Sequence, residues 1–190
     1  MKYIRLFEQF EEGHKFDILD LFTISPSEVK ELFFKELRRT PPDLENIQVF
    51  LDSGLVDVHT KGNGGYTPLH RAAANNRLEL TQLLISSGAD LEAMDNSGFT
   101  PLHLAARNNS LAVAKLLISS GAEVEAKSND GWTPLHLAAY WNRLELAQFL
   151  ISSEAEVDAK DNRGETPLDV AALNNYREMR NLLISHGGVQ

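Results

Sequence analysis

Apolar residues recur at helical spacing in short groups along the chain, with polar residues between the groups. Two groups near the N-terminus have this spacing: Tyr3, Ile4, Phe7 and Phe10, and then Val29, Leu32, Phe33 and Leu37. The second group follows Ser25-Pro26-Ser27-Glu28, which fits a capping box with proline at the first helical position. The pattern predicts two or three short helices in this part of the chain.

A four-residue motif recurs with a step of 33 residues through the rest of the chain. The sequence TPLH stands at Thr67–His70, Thr100–His103 and Thr133–His136, and TPLD stands at Thr166–Asp169. The segments LELTQLLISSGADLEA, LAVAKLLISSGAEVEA and LELAQFLISSEAEVDA keep the same step. Self-similarity at one fixed period indicates stacked copies of one supersecondary unit.

Each copy predicts a helix, a tight turn, a second helix and an extended loop. The threonine of TPLH suits an N-cap, and proline suits the first helical position because its missing N–H costs nothing there. The turn falls on an asparagine, a residue that tolerates left-handed backbone, at Asn76, Asn109, Asn142 and Asn175. Helices of this length are marginal alone, so their stability must come from stacking on neighbouring copies.

The chain resembles the ankyrin repeat family in its T-P-L-H-x-A motif, its second helix ending in LLISSGA and its V-x-A hairpin. The resemblance implies an all-α fold: an ankyrin-type helical repeat solenoid with short hairpin loops and a helical N-terminal cap. We expect the cap at residues 1–33 and the array at residues 34–190. The expected repeats are a degenerate first unit 34–66, then 67–99, 100–132 and 133–165, and a C-terminal capping repeat 166–190.

One repeat departs from the pattern at the end of its second helix. Glu154 stands where the two preceding repeats carry Gly88 and Gly121. Glycine closes helices there because it adopts left-handed backbone without steric cost. We expect this corner of the third full repeat to be either strained or rearranged.

Composition narrows the classes of function. Eighteen Lys and Arg against 27 Asp and Glu give a net charge of -9, which opposes binding to nucleic acid. The chain has no cysteine, so it has neither disulfides nor thiolate chemistry. No apolar run approaches the roughly 18 residues of a membrane span, and the first residues do not resemble a signal peptide. We therefore expect a cytoplasmic protein that does not bind membranes.

The recurring histidines are the strongest candidates for a metal or catalytic site. Adjacent helices lie roughly 8–10 Å apart, too far for His70, His103 and His136 to share one ion from successive repeats. The resemblance implies instead a structural histidine bonded to its own threonine, with Asp169 accepting a similar bond in the last unit. We expect no catalytic, cofactor or metal site. An enzyme with its site in residues 1–33 would have only His14 to use.

The positions that vary between near-identical repeats are candidates for binding, since stacking does not dictate them. In ankyrin repeats such positions line the concave face. The candidate partner-binding residues are Tyr66, Phe99, Arg107, Asn129, Asp130, Trp132, Tyr140 and Trp141. Aromatic residues and arginine often anchor interfaces. The alternative is that the aromatic rings pack over the hairpins.

Acidic residues are frequent in the predicted hairpins: Asp90, Glu92, Asp95, Glu123, Glu125, Asp130, Glu154, Glu156, Asp158 and Asp161. They form either a ridge that attracts a partner with a basic surface or a solvated face that maintains solubility. The leading hypothesis is a non-catalytic protein-binding module, an adaptor, inhibitor or effector that is a monomer when unbound. Two alternatives are a self-associating scaffold and a docking helix in the N-terminal segment, where DILDLF at 17–22 is the best candidate.

Overall fold

Ten α-helices lie within residues 21–188, the part of the chain that the computed structural model describes. They are α1 (Pro26–Glu36), α2 (Leu44–Asp52), α3 (Pro68–Ala74), α4 (Leu78–Ser86), α5 (Pro101–Asn108), α6 (Leu111–Ser119), α7 (Pro134–Tyr140), α8 (Leu144–Ser152), α9 (Pro167–Leu173) and α10 (Arg177–Ser185). A short 3-10 turn, Asn63–Gly65, precedes α3. No strand occurs among these residues, and the predicted all-α repeat fold is confirmed.

The start and end of each repeated helix follow from the residues the sequence places there. Thr67 and Thr133 cap α3 and α7 with their side-chain oxygens, and proline opens both helices. The four turn asparagines adopt left-handed backbone, with φ of 52° at Asn76, 60° at Asn109, 53° at Asn142 and 58° at Asn175. The chain can therefore reverse direction between the paired helices without glycine.

The helices form two rows. The first helices of successive repeats, α3, α5, α7 and α9, pack side by side, and the second helices, α4, α6, α8 and α10, do the same. The leucine of each TPL triplet, represented by Leu102 and Leu135, is buried between them. Burying one such side chain contributes about 1.5–3 kcal/mol, so a continuous stack of them stabilises helices that are too short to persist alone.

The N-terminal end of the stack has its own core. Helix α1 is capped by Ser25 and packs against α2, with the rings of Phe33 and Phe50 5.7 Å apart. The boundary predicted between residues 33 and 34 falls inside α1, because the start signal at Ser25 produces one helix that continues past it. The division of the chain into units therefore stays a prediction.

The linker from residue 37 to 43 is held by one buried carboxylate. Glu36 accepts a hydrogen bond from the Asp43 N–H at 2.8 Å and pairs with Arg39 at 3.4 Å. The predicted helix around Tyr3–Phe10 and most of the DILDLF segment lie outside the described residues. Of that segment, Leu21 is buried in the core and Phe22 is exposed.

Candidate functional site

The histidine of each TPLH motif connects the first helix of its repeat to the residue that directly precedes the next TPLH or TPLD motif. The backbone N–H of Thr100 donates to Nδ1 of His103 at 3.2 Å, so Nδ1 is an acceptor and the ring proton lies on Nε2. Nε2 then donates to the carbonyl oxygen of Trp132 at 2.8 Å, 29 residues further along the chain. His70 bonds Phe99 in the same way at 2.8 Å, and His136 bonds Glu165 at 3.1 Å.

Both ring nitrogens of these histidines are thus occupied in the neutral form. Burial lowers the pKa of His70 and His136, and it lowers the pKa of His103 to about 4. The predicted bond between each histidine and its own threonine is present, and Asp169 accepts the equivalent bonds from the Thr166 N–H and hydroxyl at 2.9 and 2.8 Å. Within residues 21–188, no group of three His, Cys, Asp or Glu side chains is arranged to hold a metal ion.

Three of the candidate binding residues form one aromatic cluster where the second full repeat meets the third. The rings of Trp132 and Tyr140 lie 5.4 Å apart, and those of Tyr140 and Trp141 lie 5.3 Å apart. Trp132 is half-buried, stacks on the His136 ring and donates from Nε1 to a carboxylate oxygen of Asp161 at 3.1 Å. Tyr140 and Trp141 are 40% and 46% exposed. The cluster therefore has one structural member and two that present aromatic surface to solvent.

Arg107 lies next to this cluster. Arg107, Asn108, Trp141 and Arg143 line a cleft of about 360 Å³. Arg143 donates from Nε to the Arg107 carbonyl at 3.1 Å, which ties the two repeats together beneath the cleft. The structure thus combines the exposed indole with two guanidinium groups, of which the sequence analysis had selected only Arg107.

The side chains of Tyr66 and Phe99 are less exposed than those of Tyr140 and Trp141. Both are half-buried, and their rings lie 5.8 and 5.5 Å from the rings of His70 and His103. Phe99 also packs against the hydrophobic core. These two side chains cover the histidines of the TPLH motifs that directly follow them, which corresponds to the packing alternative.

Asn129 belongs to a ladder of asparagines between the hairpins. Its Nδ2 donates to the Asn96 carbonyl at 3.1 Å, and its own carbonyl accepts from Asn162 Nδ2 at 2.9 Å. The Asp130 carbonyl accepts from the Asn162 N–H at 3.0 Å. Sequence reasoning missed this ladder, although the return of asparagine every 33 residues was a visible signal.

At least five of the ten hairpin acids accept backbone N–H groups. Glu92 bonds the Glu123 N–H at 2.9 Å and Glu125 bonds the Glu156 N–H at 3.0 Å, each reaching the next repeat. The other three close turns within their own hairpins: Asp90, Asp95 and Asp161. Burial raises the pKa of Glu92 and Glu125. Part of the predicted acidic ridge is therefore joined to the backbone of the stack.

Stacked helix pairs joined by side chains that recur every 33 residues define a helical repeat solenoid. A family model for ankyrin repeats, three copies long, matches residues 40–128 and again residues 122–190. The chain belongs to the ankyrin repeat family. Ankyrin repeats are modules for protein–protein interaction, and the fold itself is non-catalytic.

Another comparison concerns a single stretch of the chain. Over 48 residues, which are 25% of this chain, it is 46% identical to the palmitoyltransferase AKR1 of Naumovozyma castellii. The match is 6% of that protein's length, so the chain spans only a small part of this relative. In residues 21–188, every helix is too short or too polar to span a bilayer.

Proposed function

We propose that this protein binds a protein partner through the face formed by its hairpins and first helices, with Tyr140 and Trp141 as the anchoring side chains. The observation that carries the proposal is the exposure of these two adjacent aromatic residues, at 40% and 46%. Buried aromatic anchors account for much of the energy of protein interfaces. The protein would act without catalysis, as an adaptor, inhibitor or effector.

The rigidity of the surface supports this assignment. Trp132 is fixed by its bond to Asp161, and its ring packs on that of Tyr140. A surface that is held in place before binding loses little conformational entropy when a partner docks. The exposed rings would therefore contribute most of their burial energy to affinity.

The charges near the aromatic cluster indicate which kind of partner fits this surface. The net charge of -9 favours a partner with a basic surface. The cleft beside Trp141 is different, because Arg107 and Arg143 line it. A partner that fits both features carries basic residues around an apolar anchor and presents a carboxylate or carbonyl oxygen to the two guanidinium groups.

The test is affinity capture from a lysate of the source cell, with the wild type and the Tyr140→Ala/Trp141→Ala double variant compared. The matched control is Leu173→Ala, because Leu173 occupies the register of Tyr140 one repeat later and is 70% exposed. A partner retained by the wild type and by the control is then purified and its affinity measured directly. We expect the double variant to weaken binding by about 30-fold or more.

Unchanged affinity in the double variant contradicts the proposed surface. Circular dichroism and urea unfolding must show that the double variant is as stable as the wild type, which we expect because both rings are exposed. Trp132→Ala is unsuitable for this test, since it removes a half-buried ring and the Asp161 bond together. Sedimentation of the free protein at several concentrations separates a monomeric binder from a self-associating scaffold.

A further inference from the structure

A second cleft, of about 590 Å³, lies at the N-terminal end of the stack between α1, the hairpin before α3, and α3 itself. Four cationic side chains line it: Lys30, Arg38, Lys61 and Arg71. Among the described lining residues Glu31 is the only carboxylate. A concentration of positive charge is thus present on a protein whose net charge is -9.

Arg71 stands where the repeat pattern places an apolar residue. Leu104 and Leu137 occupy the same register in the next two repeats, and they are 0% and 3% exposed. The Nε atom of Arg71 is buried and has no hydrogen-bond partner among the described residues. Burial, and then the nearby charge of Arg38, lower the pKa of Arg71. Because this buried Nε atom lacks a partner, we expect arginine to be less stabilising here than leucine, which indicates a role other than packing.

The cleft is held in shape by aromatic contacts. The Arg71 guanidinium lies 5.4 Å from the centre of the Phe34 ring, within the range of a cation–π interaction. Phe34 in turn packs against Gly62, where an added Cβ would lie 3.0 Å from the Phe34 ring. Lys61 donates to the Met94 carbonyl at 2.9 Å, and its ammonium group has two further donors. Three cleft residues are therefore fixed before any ligand arrives.

We propose that this cleft binds a dianionic phosphate group. Arginine forks match the oxygens of a phosphate, and lysines add point charges around them. A ligand carboxylate carries one negative charge and would leave most of the four cations without a partner. A phosphate group carries two charges and three acceptor oxygens, so it can pair with several of them. The negative charge of the whole molecule opposes an extended polyanion, so the site suits a single phosphate group.

The phosphate has two possible sources, free inorganic phosphate and a phosphorylated side chain of a protein. Titration of the isotope-labelled full chain, followed by NMR at matched ionic strength, uses both probes. The first probe is inorganic phosphate, with chloride as its reference. The second is a short blocked peptide containing phosphoserine, with the serine peptide as its reference. Tighter binding of the phosphopeptide assigns the site to a protein source, and equal binding assigns it to free phosphate.

Two variants test the cleft residues Arg71 and Lys61, and the Lys61 variant has a matched control. Arg71→Leu installs the residue of the next two repeats, and Lys61→Gln removes one charge. The control is Lys127→Gln, because Lys127 occupies the register of Lys61 two repeats later and likewise donates to a backbone carbonyl, that of Lys160, at 3.2 Å. We expect saturable binding in the wild type and in the control, weakened about tenfold or more by either cleft variant.

The unfolding free energy provides the second readout. We expect Arg71→Leu to be at least as stable as the wild type in urea while it loses phosphate. Absence of saturable binding of either probe to the wild type overturns the proposal, and so does undiminished binding in both Arg71→Leu and Lys61→Gln. Because Tyr140 and Trp141 are unchanged in these variants, the outcome is independent of the partner-binding surface proposed above.

Discussion

His103 donates its Nε2 proton to the carbonyl oxygen of Trp132 at 2.8 Å, and this bond connects the first helix of the repeat to the residue that directly precedes the next TPLH motif. The same residue pair connects the scaffold with the candidate binding surface, since Trp132 is also the half-buried member of the aromatic cluster. The histidine is therefore a structural bridge. Its chemistry as an acid or base is suppressed because both nitrogens already have partners in the neutral ring.

The first prediction concerns that bridge. In His103→Asn, the side-chain oxygen can still accept from the Thr100 N–H, as Asp169 does for Thr166 in the last repeat. The Trp132 carbonyl loses its donor. We expect the free energy of unfolding in urea to fall by about 1–3 kcal/mol, the cost of leaving a buried polar group unpaired. The exposed His59 supplies the control, because His59→Asn should change stability by less than about 0.5 kcal/mol. Equal losses in the two variants would contradict the bridging role.

The second prediction is a pH dependence. Burial lowers the pKa of His103 to about 4, whereas the unfolded chain takes up a proton near pH 6.5. Between these values the unfolded state binds more protons than the folded state, so stability is lost as the pH falls from 6.5 to 4. One group with this shift accounts for roughly 3 kcal/mol at most. His70 and His136 shift in the same direction.

The measurement is urea unfolding at a series of pH values between 4 and 7. Burial raises the pKa of Glu92 and Glu125, and carboxyl groups with raised pKa gain stability as the pH falls, which opposes the histidines. The comparison is therefore the difference between wild type and His103→Asn. We expect that difference to shrink towards pH 4, and a difference independent of pH would show that His103 does not titrate as inferred.

The third prediction concerns the contact between hairpins. Gly98 and Gly164 have similar left-handed backbone, with φ of 77° and 82°. A Cβ at Gly98 would lie 2.5 Å from the Asn129 backbone nitrogen, whereas a Cβ at Gly164 would meet nothing within 4 Å. Alanine at either position must adopt left-handed backbone, which destabilises the fold in both variants. Only Gly98→Ala also introduces a clash that forces the asparagine ladder apart.

We expect Gly98→Ala to lower the free energy of unfolding by about 1–3 kcal/mol more than Gly164→Ala does. Gly164→Ala is the matched control, because it isolates the backbone cost of the same glycine in a hairpin of the same register. Similar losses of unfolding free energy in the two variants would show that close contact between the hairpins at Asn129 does not contribute to stability.

The sequence predicted much of this fold because its strongest signals are local and recur. Thr100 with its proline, Asn109 at the left-handed turn and Leu102 in the core each follow from propensity and spacing. The capping box at Ser25 also predicts the start of α1. The sequence does not predict where α1 ends, because the first unit lacks TPLH and its first helix cannot be aligned with those of the other repeats.

The sequence did not predict the hydrogen bonds between residues that are about 30 positions apart in the chain. His103 was assigned to its own threonine, and its second bond, 29 residues away, depends on how the repeats are stacked. For the same reason the sequence marks Asn129 as a binding residue, whereas the structure places it in a ladder of asparagines. Motifs alone do not point to Arg71, because it is distinguished only by standing where the next two repeats carry leucine. Comparing repeats for such departures finds candidate sites that motif searches miss.

The fourth prediction concerns the corner at Glu154, which was expected to be strained or rearranged. Glu154 has φ of 70°, and the Ala155 N–H bonds the Leu150 carbonyl at 3.0 Å just as the Ala122 N–H bonds that of Leu117. The turn is thus kept and a non-glycine residue occupies left-handed backbone, which costs about 1–2 kcal/mol. Glycine loses more entropy on folding, by about 0.5–1 kcal/mol, so we expect Glu154→Gly to raise the free energy of unfolding by about 0.5–1 kcal/mol. The control is Glu154→Ala, which removes the carboxylate and keeps the Cβ. If alanine stabilises as much as glycine, the benefit comes from the lost charge among the hairpin acids rather than from relief of the backbone.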